Sequence, residues 1–251
     1  MRYVRTEVDR PYLELETLQG RSITDVGPED HPWHTGLSLA VAHVGEANFW
    51  GGPTFVRGEG YVQLPNNGTQ QSDEFLKTGN GFSERLSWLT QPGEHVITEE
   101  RRVDKTAHDN HYAITWRSRL TNVSAQPLVF GSPATNGRDG VGYGGILWRG
   151  PMEMVQGTVL GAQMGEESAW LAYVTEQATL VFETPQPTWW FVRTQEFPAV
   201  CPAPFFHEET TLTPGSSLTL VCRLTVADGA WDATQIRACR AGEGGGLFYG
   251  E

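Results

Sequence analysis

Apolar and polar residues alternate at every second position in several stretches of this chain, and a period of two places successive side chains on opposite faces of a β-strand. The clearest stretch is HYAITWRSRL, in which Tyr112, Ile114 and Trp116 share the apolar face. It follows HVITEERRV, and together they predict a hairpin over residues 95–121. Short alternating stretches separated by Gly, Pro, Asn and Asp clusters are typical of a β-sandwich or β-barrel.

Two further segments extend this pattern along the chain. WLAYVTEQATLVFETP predicts a second hairpin that turns near residues 175–177, and SLTLVCRLTV predicts a strand after a Pro-Gly turn. Helical spacing is found in AWDATQIRACRAG, which predicts one helix near residues 230–241, and the first half of the glycine-rich tail after it is expected to be flexible. We therefore expect an all-β fold, a large antiparallel β-sandwich with one short C-terminal helix.

Length and charge limit the classes of protein to consider. The 251 residues fit one large all-β domain, and because no linker interrupts them we treat residues 1–251 as a single domain. The net charge of −12 disfavours nucleic acids and anionic membranes as partners. The three cysteines, Cys201, Cys222 and Cys239, contain no C-x-x-C pair and indicate neither a disulfide framework nor a thiolate zinc site. The sequence has no apolar signal segment and no apolar run of about 18 residues. We therefore expect the protein in the cytoplasm.

Two long polar or glycine-rich segments, residues 63–81 and 131–145, are predicted to be loops. Loops of this length are usually functional or disordered. On a sandwich they tend to gather at one mouth of the fold, where a binding site is expected.

The stretch DHPWH brings two imidazoles close together. His31 and His34 are three positions apart, so a strand would point them to opposite faces. A type I turn with His31 first and Pro32 second would instead bring its ends within about 7 Å. With Asp30 as a ligand or orienting carboxylate, the cluster is a candidate for acid–base catalysis and for one divalent metal ion on His31 and His34. The alternative is a turn that merely contains histidine.

Other candidates come from charged residues next to aromatic residues and glycines. Glu59 and Glu84 lie in such settings and are predicted, with the two histidines, as catalytic acids or bases. The glycines of GRDGVGYGGILWRG lead into an apolar stretch instead of a helix, so we expect no nucleotide cofactor. Arginine forks and aromatic faces suit a sugar or a carboxylate, although aromatic residues in a core with arginines at its rim would give the same pattern. The predicted substrate-binding residues are Asp30, Arg138, Tyr143, Trp148, Arg149, Arg193 and His207. Trp148 and Arg149 are expected at the mouth of the sandwich near His34.

Several of these motifs also carry a family resemblance. DHPWHTGLSLAV, ANFWGG, GYGGILWRGP and WWFVRTQEFP, followed by TLTPGSSLTLVCRLTVADG, resemble the bacterial proteins named PmoA-like over nearly the whole chain. That name refers to a subunit of membrane-bound methane monooxygenase, an activity that a chain without a spanning segment contradicts. The resemblance implies instead a soluble β-sandwich similar to the galactose mutarotase-like supersandwich. The matching site positions are Asp30, His31, His34, Tyr143 and Arg149. Many of the similar proteins are longer and carry a further histidine where this chain has Trp33.

The resemblance also implies a place beside sugar oxidoreductases in carbohydrate catabolism, including routes through keto-sugars. We therefore expect a cytoplasmic enzyme that eliminates, hydrolyses or isomerises a glycoside or keto-sugar by histidine and carboxylate acid–base chemistry, with a metal ion that polarises a carbonyl. Two alternatives stay open. One is a non-catalytic carbohydrate-binding or accessory subunit of a sugar oxidoreductase, and the other is a metal-dependent oxygenase or tailoring enzyme of secondary metabolism. The expected partner is a small carbohydrate or polyhydroxy compound, with a second copy of the chain or an oxidoreductase as the protein partners to consider.

Overall fold

The computed structural model describes residues 1–243, and nearly all of the regular structure in that range is β-strand. The strands and the C-terminal helix, in chain order, are β1 (Arg2–Val4), β2 (Tyr12–Glu14), β3 (Leu37–Val41), β4 (His43–Val44), β5 (Thr54–Val56), β6 (Gly60–Val62), β7 (Thr69–Lys77), β8 (Gly81–Leu89), β9 (His95–Ala107), β10 (His111–Asn122), β11 (Leu128–Gly131), β12 (Gly144–Arg149), β13 (Thr158–Leu160), β14 (Glu167–Val174), β15 (Ala178–Arg193), β16 (Ala199–Pro202), β17 (Thr210–Leu212), β18 (Ser217–Asp228) and α1 (Ala233–Glu243).

One large antiparallel sheet contains most of these strands. Its order is β1-β2-β3-β12-β16-β15-β18-β10-β9-β8-β7, and β14 attaches β13 to β15. The sheet curls so that its two ends meet, since the ring of Tyr3 in β1 stacks on Phe82 in β8 with centroids 4.2 Å apart. The predicted antiparallel all-β fold with a short C-terminal helix is confirmed.

The main core lies between the two halves of this curled sheet. Leu39 and Trp148 enter it from one half, while Trp116 and Leu224 enter from the other, and each is at most 1% exposed. The alternation along β10 therefore reflects a strand with one face in the core. Both predicted hairpins are present, as β9–β10 and as β14–β15.

Two of the predicted boundaries are corrected by the structure. Residues 69–77, placed in a loop from sequence, form β7 at the edge of the large sheet. This strand was missed because an edge strand can be polar on both faces, and Gln70 is its one buried residue. The C-terminal helix begins at Ala233, where the Asp232 carboxylate caps it by accepting from the backbone N–H of Thr234 at 2.7 Å. The tail prediction falls mostly on residues 244–251, which lie outside the described residues.

The segment between β11 and β12 is a loop, as predicted, over residues 132–143. This loop packs together with the turn at residues 30–34, the β5–β6 hairpin and the β15–β16 connection. They cover the face of β3, β12, β15 and β16 that points away from the main core, called here the outward face. A second apolar cluster covers this face, with Ala40 and Leu147 at its base. The chain thus has a core inside the curled sheet and a smaller aromatic layer outside it. No helix of the described part of the chain is long and apolar enough to cross a membrane.

Candidate functional site

A pocket of about 290 Å³ opens in the aromatic layer on this outward face. The turn at residues 30–34, the 132–143 loop and the end of β15 meet around it. Its lining residues are His31, Trp33, His34, Trp50, Gly51, Pro53, Tyr61, Arg138, Val141, Tyr143, Phe191, Arg193, Glu196 and Phe197.

The DHPWH stretch forms the predicted turn. The backbone N–H of His34 donates to the carbonyl of His31 at 2.9 Å, which is the hydrogen bond that closes such a turn. As a result the two imidazoles stack, with ring centroids 4.6 Å apart and planes within 6° of parallel. The prediction that this turn brings both rings to one site is confirmed.

Asp30 joins His31 to a buried arginine. The Asp30 carboxylate lies 2.6 Å from Nδ1 of His31 and accepts from Nη2 of Arg149 at 2.8 Å. Arg149 is fully buried and lies over the ring of Phe197, with 4.5 Å from its Cζ to the centroid. A carboxylate at Nδ1 fixes the orientation of the ring and favours the tautomer whose Nε2 is unprotonated. His31, whose side chain is 34% exposed, thus has Nε2 available for proton exchange.

His34 lies behind His31 and is buried. It is 2% exposed, between the edge-on rings of Trp50 and Phe197, so of the two imidazoles it is His31 that lies at the rim of the pocket. Neither of its ring nitrogens has a hydrogen-bond partner within residues 1–243. Burial lowers the pKa of His34 well below its usual 6.5, and the nearby His31, Arg10 and Arg149 lower it further. His34 is therefore a neutral imidazole with one donor and one acceptor unused.

The walls of the pocket are aromatic. Trp50 packs on Tyr143 with ring centroids 4.3 Å apart, and the hydroxyl of Tyr143 lies 2.9 Å from that of Tyr61. Burial raises the pKa of Tyr143 well above its usual value, so this phenol stays protonated. Trp33 forms another wall, with its ring edge-on to those of His31 and His34.

Glycines and one buried arginine position this wall. Gly51 and Gly52 have φ values of +94° and +64°, and a Cβ on Gly52 would lie 2.4 Å from the Trp33 ring. Arg10, 7% exposed, donates to the carbonyl oxygens of Trp33 and Trp50, at 2.8 Å each. Sequence reasoning assigned no role to Arg10 or to the aromatic walls, although ANFWGG was already one of the conspicuous motifs.

The predicted site residues fall into three groups. Five line the pocket, namely His31, His34, Arg138, Tyr143 and Arg193. Asp30 and Arg149 adjoin it through the ion pair described above. The structure places the remaining four, Glu59, Glu84, Trp148 and His207, elsewhere.

Each of these four has a different environment. Glu59 is exposed in the turn between β5 and β6. Glu84 is buried in a polar network with Tyr3, Ser72 and Arg101 at the closure of the large sheet. Trp148 is in the main core and not at the mouth, where it was expected. Successive side chains of a strand point to opposite faces, and its neighbours Leu147 and Arg149 lie on the outward face. His207 is exposed beside the carbonyl of Gly165, 3.3 Å away.

The predicted metal ion stays a prediction. Among residues 1–243 no group of three or more His, Cys, Asp or Glu side chains is arranged to hold a metal. The rings of His31 and His34 are parallel, so their lone pairs do not converge, and a shared ion would require one ring to turn.

Comparisons with known proteins identify a family. A family described as "Family of unknown function (DUF6807)" matches residues 1–240. No curated protein matches the chain. Among solved structures, the heparan sulfate lyase HepC from Pedobacter heparinus is similar at 10% identity and a TM-score of 0.34. That alignment covers 65% of this chain and 22% of the lyase. The resemblance to PmoA-like proteins stays a prediction.

Proposed function

We propose that this chain, which belongs to the DUF6807 family, is a sugar-active enzyme that transfers protons in the pocket beside the 30–34 turn. The observation that carries this proposal is the pair of unused nitrogens on the buried His34, in a pocket that also holds the Asp30–His31 pair.

His34 supplies the binding argument. A buried donor or acceptor without a partner costs about 1–3 kcal/mol, and a fold retains such a cost where a ligand removes it. A neutral imidazole offers one N–H and one lone pair, which match a hydroxyl group or a carbonyl oxygen with a neighbouring hydroxyl. Polyhydroxy compounds present these groups on one ring.

His31 supplies the acid–base chemistry. With Asp30 at Nδ1, Nε2 of His31 accepts a proton from a substrate hydroxyl or from a carbon next to a carbonyl, and the Asp30 carboxylate stabilises the imidazolium. The same proton then returns to the leaving group or to a neighbouring carbon. Elimination, hydrolysis and isomerisation all begin or end with such a transfer, so the reaction type follows from the substrate.

The aromatic walls account for a ring-shaped substrate. Trp33, Trp50 and Tyr143 present flat apolar faces, while the tyrosine hydroxyls and the arginines present donors. A volume of about 290 Å³ is at the small end of ligand sites, which run from roughly 300 to 1,000 Å³. It suits one sugar ring better than an oligosaccharide.

The test is conversion of a panel of glycosides and their 3-keto forms, followed by mass spectrometry. We expect one class to be converted by the wild type, and turnover to fall by about 10²- to 10⁴-fold in His31→Gln. The matched control is His207→Gln, an exposed histidine outside the pocket lining, which should leave turnover unchanged. Conversion that persists in His31→Gln would contradict the proposal.

Binding without conversion would favour the carbohydrate-binding or accessory-subunit alternative. In that case His34→Leu abolishes binding while His31→Gln leaves it intact, because only His34 is then used as a binding group.

A further inference from the structure

The charge of the pocket is opposite to the charge of the chain. The whole sequence carries −12, yet the pocket lining holds Arg138 and Arg193 against the single acid Glu196. Two more arginines, Arg10 and Arg149, are buried directly behind the lining. Within residues 1–243, Arg149 pairs with Asp30 at 2.8 Å and Arg193 lies 3.8 Å from Glu196, while Arg10 and Arg138 have no carboxylate within ion-pair distance.

Within residues 1–243, Arg193 is held only loosely by other groups of the protein. Its side chain is 27% exposed at the end of β15, and its nearest carboxylate is Glu196, with Nη1 and Oε2 3.8 Å apart. That contact is loose, and Glu196 is itself 71% exposed. The Nε of Arg193 is buried and has no hydrogen-bond partner in the part of the chain that the structure describes. A guanidinium that lines a pocket and is only loosely paired can donate two parallel N–H groups to a planar anion.

Arg138, in the 132–143 loop, adds a second positive charge to the lining. It donates from Nη1 to the hydroxyl of Tyr61, and its Cζ lies 4.8 Å from the centre of that ring. No carboxylate of residues 1–243 lies within ion-pair distance of Arg138. It therefore leaves the pocket positive and also positions the Tyr61 hydroxyl, which in turn contacts Tyr143.

We propose that the substrate is a sugar acid, a ring compound with a carboxylate that Arg193 binds through its guanidinium fork while Arg138, in the same lining, adds positive charge to the pocket. This inference rests on the proposed function and specifies its substrate class. A neutral sugar would exclude water from Arg193 and Arg138 without supplying an opposite charge, which costs free energy in the complex.

A carboxylate is favoured over a phosphate by the kind of donors present. Phosphate sites commonly add backbone N–H groups of a helix N-terminus or a lysine to an arginine. The lining has neither, since it contains no lysine, and neither α1 nor the short 3-10 helix at Met152–Met154, the helices of residues 1–243, contributes a residue to it. One planar fork beside aromatic faces matches a planar carboxylate on a ring.

The experiment is isothermal titration calorimetry with acids and their uncharged counterparts. Glucuronate and galacturonate are compared with their methyl esters, with glucose and galactose, and with glucose 6-phosphate, all at one ionic strength. The ester keeps the ring and removes only the charge. We expect the acids to bind at least about tenfold more tightly than the esters, as one hydrogen-bonded charge pair provides.

Protein variants locate that preference. Arg193→Gln should weaken binding of the acids by about 10- to 100-fold and leave binding of the neutral sugars unchanged. Arg193→Lys keeps the charge without the fork and should fall between the wild type and Arg193→Gln. The control is Arg119→Gln, which removes the same charge from an exposed residue paired with Glu100 outside the pocket. It should bind as the wild type does.

The outcomes separate the two proposals. Equal binding of acid and ester overturns the sugar-acid inference and leaves the proposed function in place, and tighter binding of glucose 6-phosphate than of any acid does the same. An unchanged preference for acids in Arg193→Gln and Arg193→Lys also overturns the inference. Citrate is added to the panel as an acid that is not a sugar. If citrate binds with the expected dependence on Arg193 while no sugar and no sugar acid binds, the proposed function fails and the sugar-acid inference fails with it. If no compound of the panel binds, both fail.

Discussion

Replacing His34 by leucine should stabilise the protein, and this expectation follows from the two unused ring nitrogens. Most substitutions of buried residues destabilise. A histidine whose nitrogens were satisfied in the core would follow that rule, since its loss would leave partners unpaired. His34 has no such partners within residues 1–243, so leucine, which is close in volume, removes only unsatisfied groups.

The expected magnitude combines two opposing effects. Two unsatisfied buried groups cost about 1–3 kcal/mol each by general experience, and the lower figure applies because one side of the ring faces a pocket. Leucine loses the edge contacts with Trp50 and Phe197, which are worth about 0.5–1.5 kcal/mol each; the lower figure, about 1 kcal/mol for both, applies because leucine keeps apolar packing against these rings. The free energy of unfolding should therefore rise by about 1 kcal/mol at pH 7.5, or about 2–4 °C in Tm for a chain of this size.

The stability difference between His34→Leu and the wild type should grow as the pH falls. The folded protein keeps His34 neutral because its pKa is lowered well below 6.5, whereas the unfolded chain protonates it near pH 6.5. Unfolding then takes up a proton, so acid favours the unfolded state of the wild type as the pH falls below 6.5. The leucine variant lacks this effect, and the difference should widen by up to about 1.4 kcal/mol per pH unit.

Urea unfolding at pH 7.5 and 5.5 measures both the stability gain and its dependence on pH. The control is His207→Leu, an exposed histidine, which should change the stability at pH 7.5 by less than about 0.5 kcal/mol. A His34→Leu variant that is less stable than the wild type at both pH values would refute the reasoning, because it would mean that His34 has satisfied partners. The same variant should lose sugar binding.

Three further predictions concern the groups around the pocket. Arg10→Met should lower the free energy of unfolding by about 3 kcal/mol, measured in urea, because it leaves the buried carbonyl oxygens of Trp33 and Trp50 without their donor; a loss below about 1 kcal/mol would contradict this role. Gly52→Ala should cost about 1–3 kcal/mol through its positive φ and its clash with the Trp33 ring, and should weaken sugar binding, whereas unchanged binding would exclude a role for that wall. Asp30→Asn should cut turnover by about 10²- to 10⁴-fold with a shift in Tm of only a few degrees, and a variant that keeps full turnover would remove the carboxylate from the mechanism.

Sequence reasoning succeeded where a local rule decides the structure. The strand β10 could be predicted because Ile114 and Trp116 alternate with polar residues. The proximity of His31 and His34 could be predicted because Pro32 presets the turn between them. In both cases the determining contacts lie within a few residues along the chain.

Features that depend on contacts between residues far apart in the sequence could not be predicted. Arg10 could not be recognised as the support of the pocket wall, because the carbonyls it binds lie 23 and 40 residues further along the chain. Glu84 was assigned to catalysis because aromatic residues and glycines lie next to it along the chain. Its partner in the fold, Tyr3, is 81 residues away and could not be recognised. Trp148 and Arg149 were both assigned to the mouth, although neighbours on a strand point to opposite faces, and only the register of β12 decides which one faces the pocket.

The most direct test of the account is ¹⁵N NMR of the imidazole nitrogens of His34 at pH 6, first without ligand and then with saturating glucose and saturating glucuronate in turn. The account predicts a neutral ring without ligand, and a shift of at least one ring nitrogen to a hydrogen-bonded position with glucuronate. A charged ring at pH 6, or nitrogen signals that neither sugar moves, would contradict the claim that His34 is a binding group awaiting its substrate.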